Sequence, residues 1–140
     1  MDLTRRGAIT LGAGLAASAF LPALAAAATA DEAIAAFTGG ADAAAGGALS
    51  LTTPEIAENG NTVPVTVSAP GAEAIMILAA GNPSPDVAVI GFGPLCANQT
   101  ATTRIRLAGT QDVVAIARMS DGSFVRASNT VKVTIGGCGG

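Results

Sequence analysis

Residues 102–135 read TTRIRLAGTQDVVAIARMSDGSFVRASNTVKVTI, a stretch rich in β-branched residues and interrupted by glycine. In its first run Ile105 and Leu107 alternate with Arg104 and Arg106. Successive side chains of a β-strand point to opposite faces, so this alternation predicts a strand with one buried and one solvated face. The two arginines on the outer face could contact a partner, but the absence of a cluster of like charges around them favours an ordinary solvated face.

The last run of this stretch, TVKVTIGG, has the same period of two. It predicts that Val131, Val133 and Ile135 share the buried face of a final strand. The alternation stops at Gly136, the first of two consecutive glycines. The sequence therefore predicts a folded domain over residues 31–135.

Further β-rich runs lie upstream, and turn-forming residues separate them. With the stretch above they make about seven short strands at near-regular spacing, which predicts an all-β fold, an immunoglobulin-like antiparallel β-sandwich. The upstream runs read ALSLTTP, NTVPVTVSAP, EAIMILAAG and DVAVIGFG. The turn signals are Asn59-Gly60, Pro70-Gly71, Asn82-Pro83-Ser84-Pro85 and Asp121-Gly122.

Residues 31–40, DEAIAAFTGG, have a different pattern, typical of a short helix. Asp31 is the predicted N-cap, Ile34 and Phe37 fall on one face, and the glycine pair ends the helix. The following ADAAAGGA is predicted to be a flexible connection. A short N-terminal helix thus precedes the sandwich.

Residues 1–30 are typical of an export signal. Arg5 and Arg6 form its charged start, an Ala-rich and Gly-rich apolar run follows, and Ala28-Thr29-Ala30 is the predicted cleavage site. The apolar run is too short for a membrane anchor, and it consists largely of Ala and Gly, which have small side chains or none. The paired arginines favour a twin-arginine signal, although Ala8 stands where that pattern usually has Phe, and an ordinary secretory signal also fits. Either route predicts a location outside the cytoplasm.

The composition excludes several classes of function. The chain has no His, which excludes a Ser-His-Asp triad, a Cys-His pair and any His-ligated metal site. Two Cys are too few for a thiolate zinc or iron–sulfur site. The chain has no Trp or Tyr and its basic residues are dispersed, so a nucleic-acid interface is not expected. The sequence predicts a protein that is not an enzyme by itself and that has no cofactor of its own.

The chain ends in GGCGG, residues 136–140, with Cys138 between two glycine pairs. Glycine has no Cβ and populates backbone conformations closed to other residues, so Gly136, Gly137, Gly139 and Gly140 predict a thin hinge around the thiol. The segment has no Lys, Arg or His to lower the pKa of the thiol. A flexible segment that extends the thiol away from the domain, but has no group to activate it, is typical of a covalent carrier. The sequence therefore predicts an arm that presents a covalently attached cargo to other proteins.

The ending GGCGG, together with residues 102–135 and the run NPSPDVAVIGFGPL, resembles the SoxY family over essentially the whole mature chain. SoxY is the sulfur-carrier subunit of the periplasmic Sox system for thiosulfate oxidation. The resemblance implies that Cys138 is the site of covalent sulfur attachment, with the four flanking glycines as the hinge of a swinging arm over residues 136–140. The cargo would be sulfur intermediates on Cys138, beginning with a cysteine S-thiosulfonate.

The resemblance also implies partners. SoxZ, a small β-sandwich protein, would form a heterodimer with the chain. A c-type haem enzyme of the SoxXA kind would attach thiosulfate oxidatively, a manganese hydrolase of the SoxB kind would release sulfate, and a sulfur dehydrogenase of the SoxCD kind would oxidise the remaining sulfane.

Cys96, in PLCANQT, departs from the single cysteine that is usual in this family. We expect it to be a buried free thiol at the end of a strand, with a disulfide to Cys138 or to another molecule as alternatives.

Two other functions remain open from the sequence. A C-terminal Gly-Gly is also found in ubiquitin-like carriers that hold sulfur as a thiocarboxylate, here on Gly140. That chemistry needs a cytosolic activating enzyme, which the export signal argues against. An exported, non-catalytic β-sandwich module with a structural disulfide is the third hypothesis.

Overall fold

The computed structural model describes residues 29–137, so the predicted signal up to Ala28 and the residues from Cys138 onward lie outside it. One helix and nine strands follow one another along this part of the chain. They are α1 (Ala30–Thr38), β1 (Ala43–Ala45), β2 (Ser50–Thr52), β3 (Ile56–Ala57), β4 (Val63–Ser68), β5 (Ala72–Ala79), β6 (Asp86–Gly91), β7 (Thr100–Ile105), β8 (Gln111–Met119) and β9 (Phe124–Val133).

Helix α1 forms where the sequence predicts it, but its N-cap is Thr29 and not Asp31. The Thr29 hydroxyl accepts a hydrogen bond from the Glu32 N–H, and the Glu32 carboxylate accepts one from the Thr29 N–H. This reciprocal pair satisfies two N–H groups at the start of the helix. Gly39 ends the helix in the left-handed conformation, with φ 65°, which a residue with a side chain rarely adopts.

The strands form two sheets, which confirms the predicted immunoglobulin-like β-sandwich with a short N-terminal helix. The larger sheet has the order β1-β9-β8-β5-β6, and the smaller one has the order β2-β4-β7. Most neighbours are antiparallel, but β1 and β3 each pair with β9 in parallel. These two short strands were not predicted, and residues 43–45, expected to belong to a flexible connection, are instead hydrogen-bonded to β9.

The main core lies between the two sheets. Val63, Val65 and Val67 of β4 are fully buried, as are Ile75 and Ile77 of β5. Burying one such side chain stabilises the fold by about 1.5–3 kcal/mol. Ile105 and Leu107 are buried as predicted, whereas Arg104 and Arg106 are exposed. The alternation in residues 102–107 therefore predicts the orientation of β7 correctly.

Helix α1 covers the outer face of the larger sheet and makes a second apolar cluster. Ile34 and Phe37 pack against Met76, Leu78 and their neighbours on β8. As a result β5 and β8 are buried on both faces, which is why EAIMILAA and VVAIA read as continuous apolar runs and not as alternating ones. The predicted apolar face of α1 is confirmed.

The pairing of β4 with β7 defines two opposite ends of the sandwich. Val63 pairs with Ile105 at one end, and Ser68 pairs with Thr100 at the other. At the first end lie the residues just before β4 and just after β7, together with the end of β9. We call this the exit end, because the chain runs from there to its C-terminus. The second end holds the loop between β6 and β7.

Candidate functional site

The candidate site is the place where the chain leaves the sandwich. Cys138, Gly139 and Gly140 lie outside the described residues, so their predicted roles stay predictions. What the structure describes is the segment that leads to them, residues 134–137. The contacts of this segment differ from those expected from the sequence.

Backbone hydrogen bonds hold residues 134–137 against the exit end. The Gly60 N–H donates to the Ile135 carbonyl at 2.7 Å, and the Gly137 N–H donates to the Leu107 carbonyl at 2.8 Å. Gly60 and Leu107 are themselves joined, because the Leu107 N–H donates to the Gly60 carbonyl at 2.7 Å. We call these contacts of Ile135 and Gly137 with Gly60 and Leu107 the root clamp.

The root clamp requires glycine at three positions because the backbones lie too close for a Cβ. A Cβ on Gly136 would overlap the carbonyl oxygen of Ala108, and one on Gly137 would lie 2.9 Å from the Gly60 carbonyl oxygen. A Cβ on Gly60 would lie 2.8 Å from the Gly137 nitrogen. None of the three has a positive φ, so close approach and not an unusual conformation explains their identity.

These contacts place the end of the folded domain beyond Ile135. The sequence predicts that the domain ends at Ile135 and that all of residues 136–140 stand outside it, but Gly137 is buried and hydrogen-bonded to the sandwich. Ile135, expected on the buried face, is 68% exposed, because its backbone and not its side chain makes the contact. A hinge role for Gly136 and Gly137 stays a prediction, and it would require these contacts to open.

Two buried amide side chains support the root clamp from inside. Asn82 donates to the Arg106 carbonyl at 2.8 Å and accepts from the Ala108 N–H at 2.9 Å, so it fixes the backbone on both sides of Leu107. Gln111 in turn donates to the Asn82 side-chain oxygen at 2.8 Å. The loop whose carbonyls contact the C-terminal segment is thereby held in one position.

The sequence alone did not single out these amides as part of the site. In the sequence, Asn82 stands out only as the first residue of the turn signal Asn82-Pro83-Ser84-Pro85. Gln111 has no sequence signal at all, since an amide at the start of a strand is ordinary. Their role depends on tertiary contacts: Asn82 binds Arg106, Ala108 and Gln111, which lie 24 to 29 positions further along the chain.

We expect Asn82→Ala to destabilise the protein and the root clamp together. The substitution removes the partner of the Arg106 carbonyl, of the Ala108 N–H and of one N–H of the Gln111 amide, at a cost of about 2–3 kcal/mol in the free energy of unfolding. Chemical denaturation measures this difference. The exposed Asn98 provides the control, because Asn98→Ala should change stability by less than about 0.5 kcal/mol. Equal stability of both variants would contradict the supporting role of Asn82.

The root clamp contains no catalytic group of its own. Its hydrogen bonds join backbone to backbone, and the amides behind it are neutral. Within residues 29–137, no group of three or more His, Cys, Asp or Glu side chains is placed to hold a metal ion. The root clamp therefore positions the C-terminal segment through backbone groups that offer no acid or base of their own.

Cys96 is exposed, and the expectation of a buried thiol is wrong. It lies in the loop between β6 and β7, where its N–H donates to the Gly93 carbonyl and its thiol donates to the Asn98 carbonyl at 3.1 Å. The tight turn at Gly93 directs the side chain outward, beside Leu95, which is 98% exposed. A loop residue next to a strand end was thus mistaken for a core residue.

The position of Cys96 also bears on a disulfide with Cys138. Cys96 lies beyond Thr100 at the far end of β7, whereas the root clamp lies at Leu107, roughly 20 Å away at about 3.3 Å per residue. Cys138 directly follows Gly137, so its Cα lies about 3.8 Å from that residue. A disulfide requires Cα atoms within about 7 Å. With the root clamp in place, an internal Cys96–Cys138 bridge cannot form.

In the described part of the chain, no helix is both long and apolar enough to span a membrane.

Comparison with solved structures gives both close and distant relatives. The sulfur carrier protein SoxY from Chlorobium limicola f thiosulfatophilum is 40% identical, with a TM-score of 0.66, and the match covers 75% of this chain and 96% of that one. A superoxide reductase (neelaredoxin) from Ignicoccus hospitalis is 18% identical, with a TM-score of 0.55, covering 62% of this chain and 80% of that one. At this low identity the second likeness shows the fold alone.

Comparison with known sequences is consistent with the closer structure. No curated protein sequence matches the chain. The family model described as sulfur oxidation protein SoxY matches residues 34–138, from helix α1 to the cysteine beyond the root clamp. Because this match spans most of the chain, and a solved SoxY is 40% identical over the aligned residues, the chain belongs to the SoxY family of sulfur oxidation proteins.

Proposed function

We propose that this protein is a covalent sulfur carrier of thiosulfate oxidation, with Cys138 as the attachment site. The observation that carries the proposal is the SoxY family match, which extends through residue 138 and so includes the cysteine of GGCGG. The solved relative is a sulfur carrier protein by its own description. The position of Cys138 immediately after the root clamp supports the assignment, because the thiol follows directly on the last residue held by the sandwich.

The first step joins thiosulfate to Cys138. The thiol loses its proton, a bond forms between its sulfur and the terminal sulfur of thiosulfate, and two electrons pass to a c-type haem enzyme. The product is a cysteine S-thiosulfonate. Hydrolysis of its outer sulfur–sulfur bond by a manganese enzyme releases sulfate and leaves a persulfide on Cys138. A sulfur dehydrogenase then oxidises the persulfide sulfur with oxygen taken from water and accepts the electrons on its own redox groups, which gives a cysteine S-sulfonate. A second hydrolysis by the manganese enzyme releases this group as sulfate and regenerates the thiol.

The composition of the GGCGG segment and the backbone contacts of the root clamp favour a carrier over an enzyme. Thiol reactivity depends on the thiolate fraction, which a nearby cation, a metal or a helix N-terminus raises. The GGCGG segment has no basic residue, and the root clamp beneath it is made of backbone groups. Activation of Cys138 is therefore assigned to the partner enzymes, and the chain needs no cofactor of its own beyond the sulfur it carries.

Localisation and partnership complete the proposal. The export signal in residues 1–30 supports a periplasmic protein, cleaved near Ala30. Membership of the SoxY family supports work within the Sox system, with a SoxZ-like subunit in a heterodimer and enzymes of the SoxXA, SoxB and SoxCD kinds as successive partners. No contact with nucleic acid, or with a membrane after signal cleavage, is part of this function.

Intact-mass measurement of protein purified from cells growing on thiosulfate tests the proposal. We expect a fraction of the mature chain to have the added mass of a thiosulfonate or a persulfide, and peptide mapping should place it on Cys138. Reduction with a thiol reagent should remove it. Sulfur found on the Gly140 carboxyl group instead would identify a thiocarboxylate carrier. Protein with no free thiol and no added sulfur would identify a structural module and contradict the proposal.

A further inference from the structure

The root clamp limits how far Cys138 can extend. While Gly137 is held on Leu107, the Cys138 Cα lies about 3.8 Å from the Gly137 Cα, so the sulfur stays within roughly 7 Å of the sandwich. Thr134 is bonded to the Ala57 and Glu58 carbonyls and is not part of the root clamp, so opening the clamp frees four residues, 135–138, up to and including the cysteine. At about 3.3–3.6 Å per extended residue they give roughly 13–14 Å of reach. The thiol thus has a short reach with the clamp closed and a long reach with it open.

The contacts that close the clamp are of a kind that opens locally. Ile135 presents its side chain to solvent, and Gly136 and Gly137 have none to bury. Only the hydrogen bonds from Gly60 to Ile135 and from Gly137 to Leu107 hold the last three described residues, and water can replace both. Segments with few apolar contacts open without unfolding the rest of a protein. The bond between Leu107 and Gly60 belongs to the sandwich and stays in place.

We propose that the root clamp is a two-state latch that sets the reach of the sulfur-bearing arm. With the latch closed, Cys138 serves an enzyme whose reactive centre lies near its surface. With the latch open, the arm enters a deep or narrow channel. An enzyme that contacts residues 135–137 selects the open state by binding it more tightly than the closed one. The inference deepens the proposed carrier function and rests on it.

Amide hydrogen exchange on the full mature chain tests the closed state. The Gly137 and Gly60 N–H groups should exchange more slowly than those of Gly139 and Gly140, because they are donors in the root clamp. Gly136→Ala should abolish this protection, since its Cβ would overlap the Ala108 carbonyl oxygen. The core amide of Ile77 should stay protected, which shows that the fold is intact. Gly109→Ala is the matched control, because a Cβ there meets nothing within 4 Å.

Cross-linking tests the reach. In a Cys96→Ser background, Thr102→Cys places a thiol on the exposed face of β7, roughly 16 Å from Leu107 at about 3.3 Å per residue. The closed latch keeps Cys138 outside disulfide distance of this thiol. If the open state is the minor one, at about 0.1–10% of molecules, Gly136→Ala should speed disulfide formation in oxidised glutathione by about tenfold or more. Gly109→Ala should leave the rate unchanged.

Unprotected Gly137 and Gly60 amides in the unmodified protein would overturn the latch, and so would equal cross-linking rates with and without Gly136→Ala. Neither measurement involves a Sox enzyme or a sulfur cargo. If these two experiments contradict the latch, the carrier assignment still stands. If intact-mass measurement contradicts the carrier assignment, the hydrogen-exchange and cross-linking results still show whether the root clamp opens and closes.

Discussion

Cys138→Ser is expected to abolish thiosulfate-dependent respiration completely. The substitution exchanges sulfur for oxygen and removes the atom to which the proposed function attaches thiosulfate. The substituted position follows Gly137, the last residue that the root clamp holds, so we expect no loss of stability. Oxygen consumption by a strain that depends on this carrier should fall to the rate without any carrier. The melting temperature of the purified protein should stay unchanged.

Cys96→Ser is the matched control for this result. Cys96 is an exposed thiol at the opposite end of the sandwich, and its single described side-chain contact, to the Asn98 carbonyl, can be made equally by a hydroxyl. Respiration should therefore stay near the wild-type rate. Thiosulfate turnover that survives in Cys138→Ser and is lost in Cys96→Ser would transfer the carrier function to the other cysteine. Survival in both single variants would contradict a cysteine carrier.

The sequence predicts most of the fold because the signals that specify it are local. Alternation over residues 102–107 orients β7, and apolar spacing in α1 orients Ile34 and Phe37. The strands that were missed, β1 and β3, are three and two residues long and form through pairing with the distant β9. An Ala-rich segment next to glycines has no intrinsic preference for a strand, so only the available edge of β9 defines β1.

The candidate site was predicted only in part, for a related reason. Cys138 stands out in the sequence because four glycines surround it, and that pattern is local. The root clamp has no such signature, since it joins backbone groups of residues that are 30 to 75 positions apart in the chain. The glycines of this segment predict conformational flexibility. In the structure, Gly136 and Gly137 also allow the backbone to lie close to the carbonyl oxygens of Ala108 and Gly60. Sequence alone does not separate these two uses of glycine.

Gly60 makes this distinction testable, and Gly60→Val is expected to have the largest effect on stability. The sequence assigns Gly60 to a turn, yet its φ is not positive, so a side chain is excluded by space and not by conformation. A Cβ would overlap the Leu107 carbonyl oxygen and lie 2.9 Å from a methyl of Val133. Overpacking against fixed backbone, with loss of the Ile135 hydrogen bond, should cost about 3 kcal/mol of unfolding free energy.

Thermal unfolding measures this cost. For a domain of this size, a loss of about 3 kcal/mol corresponds to a fall in melting temperature of about 10 °C or more. Gly109→Val is the matched control: Gly109 lies on the loop that contacts Gly60, it has no positive φ, and a Cβ there meets nothing within 4 Å. Its melting temperature should change by only about 2 °C, as for an ordinary surface substitution. If Gly60→Val melted like the wild type, Gly60 would be an ordinary turn residue. The backbone of the exit end would then have room for a side chain, and close approach could not explain why the chain reaches its cysteine through consecutive glycines.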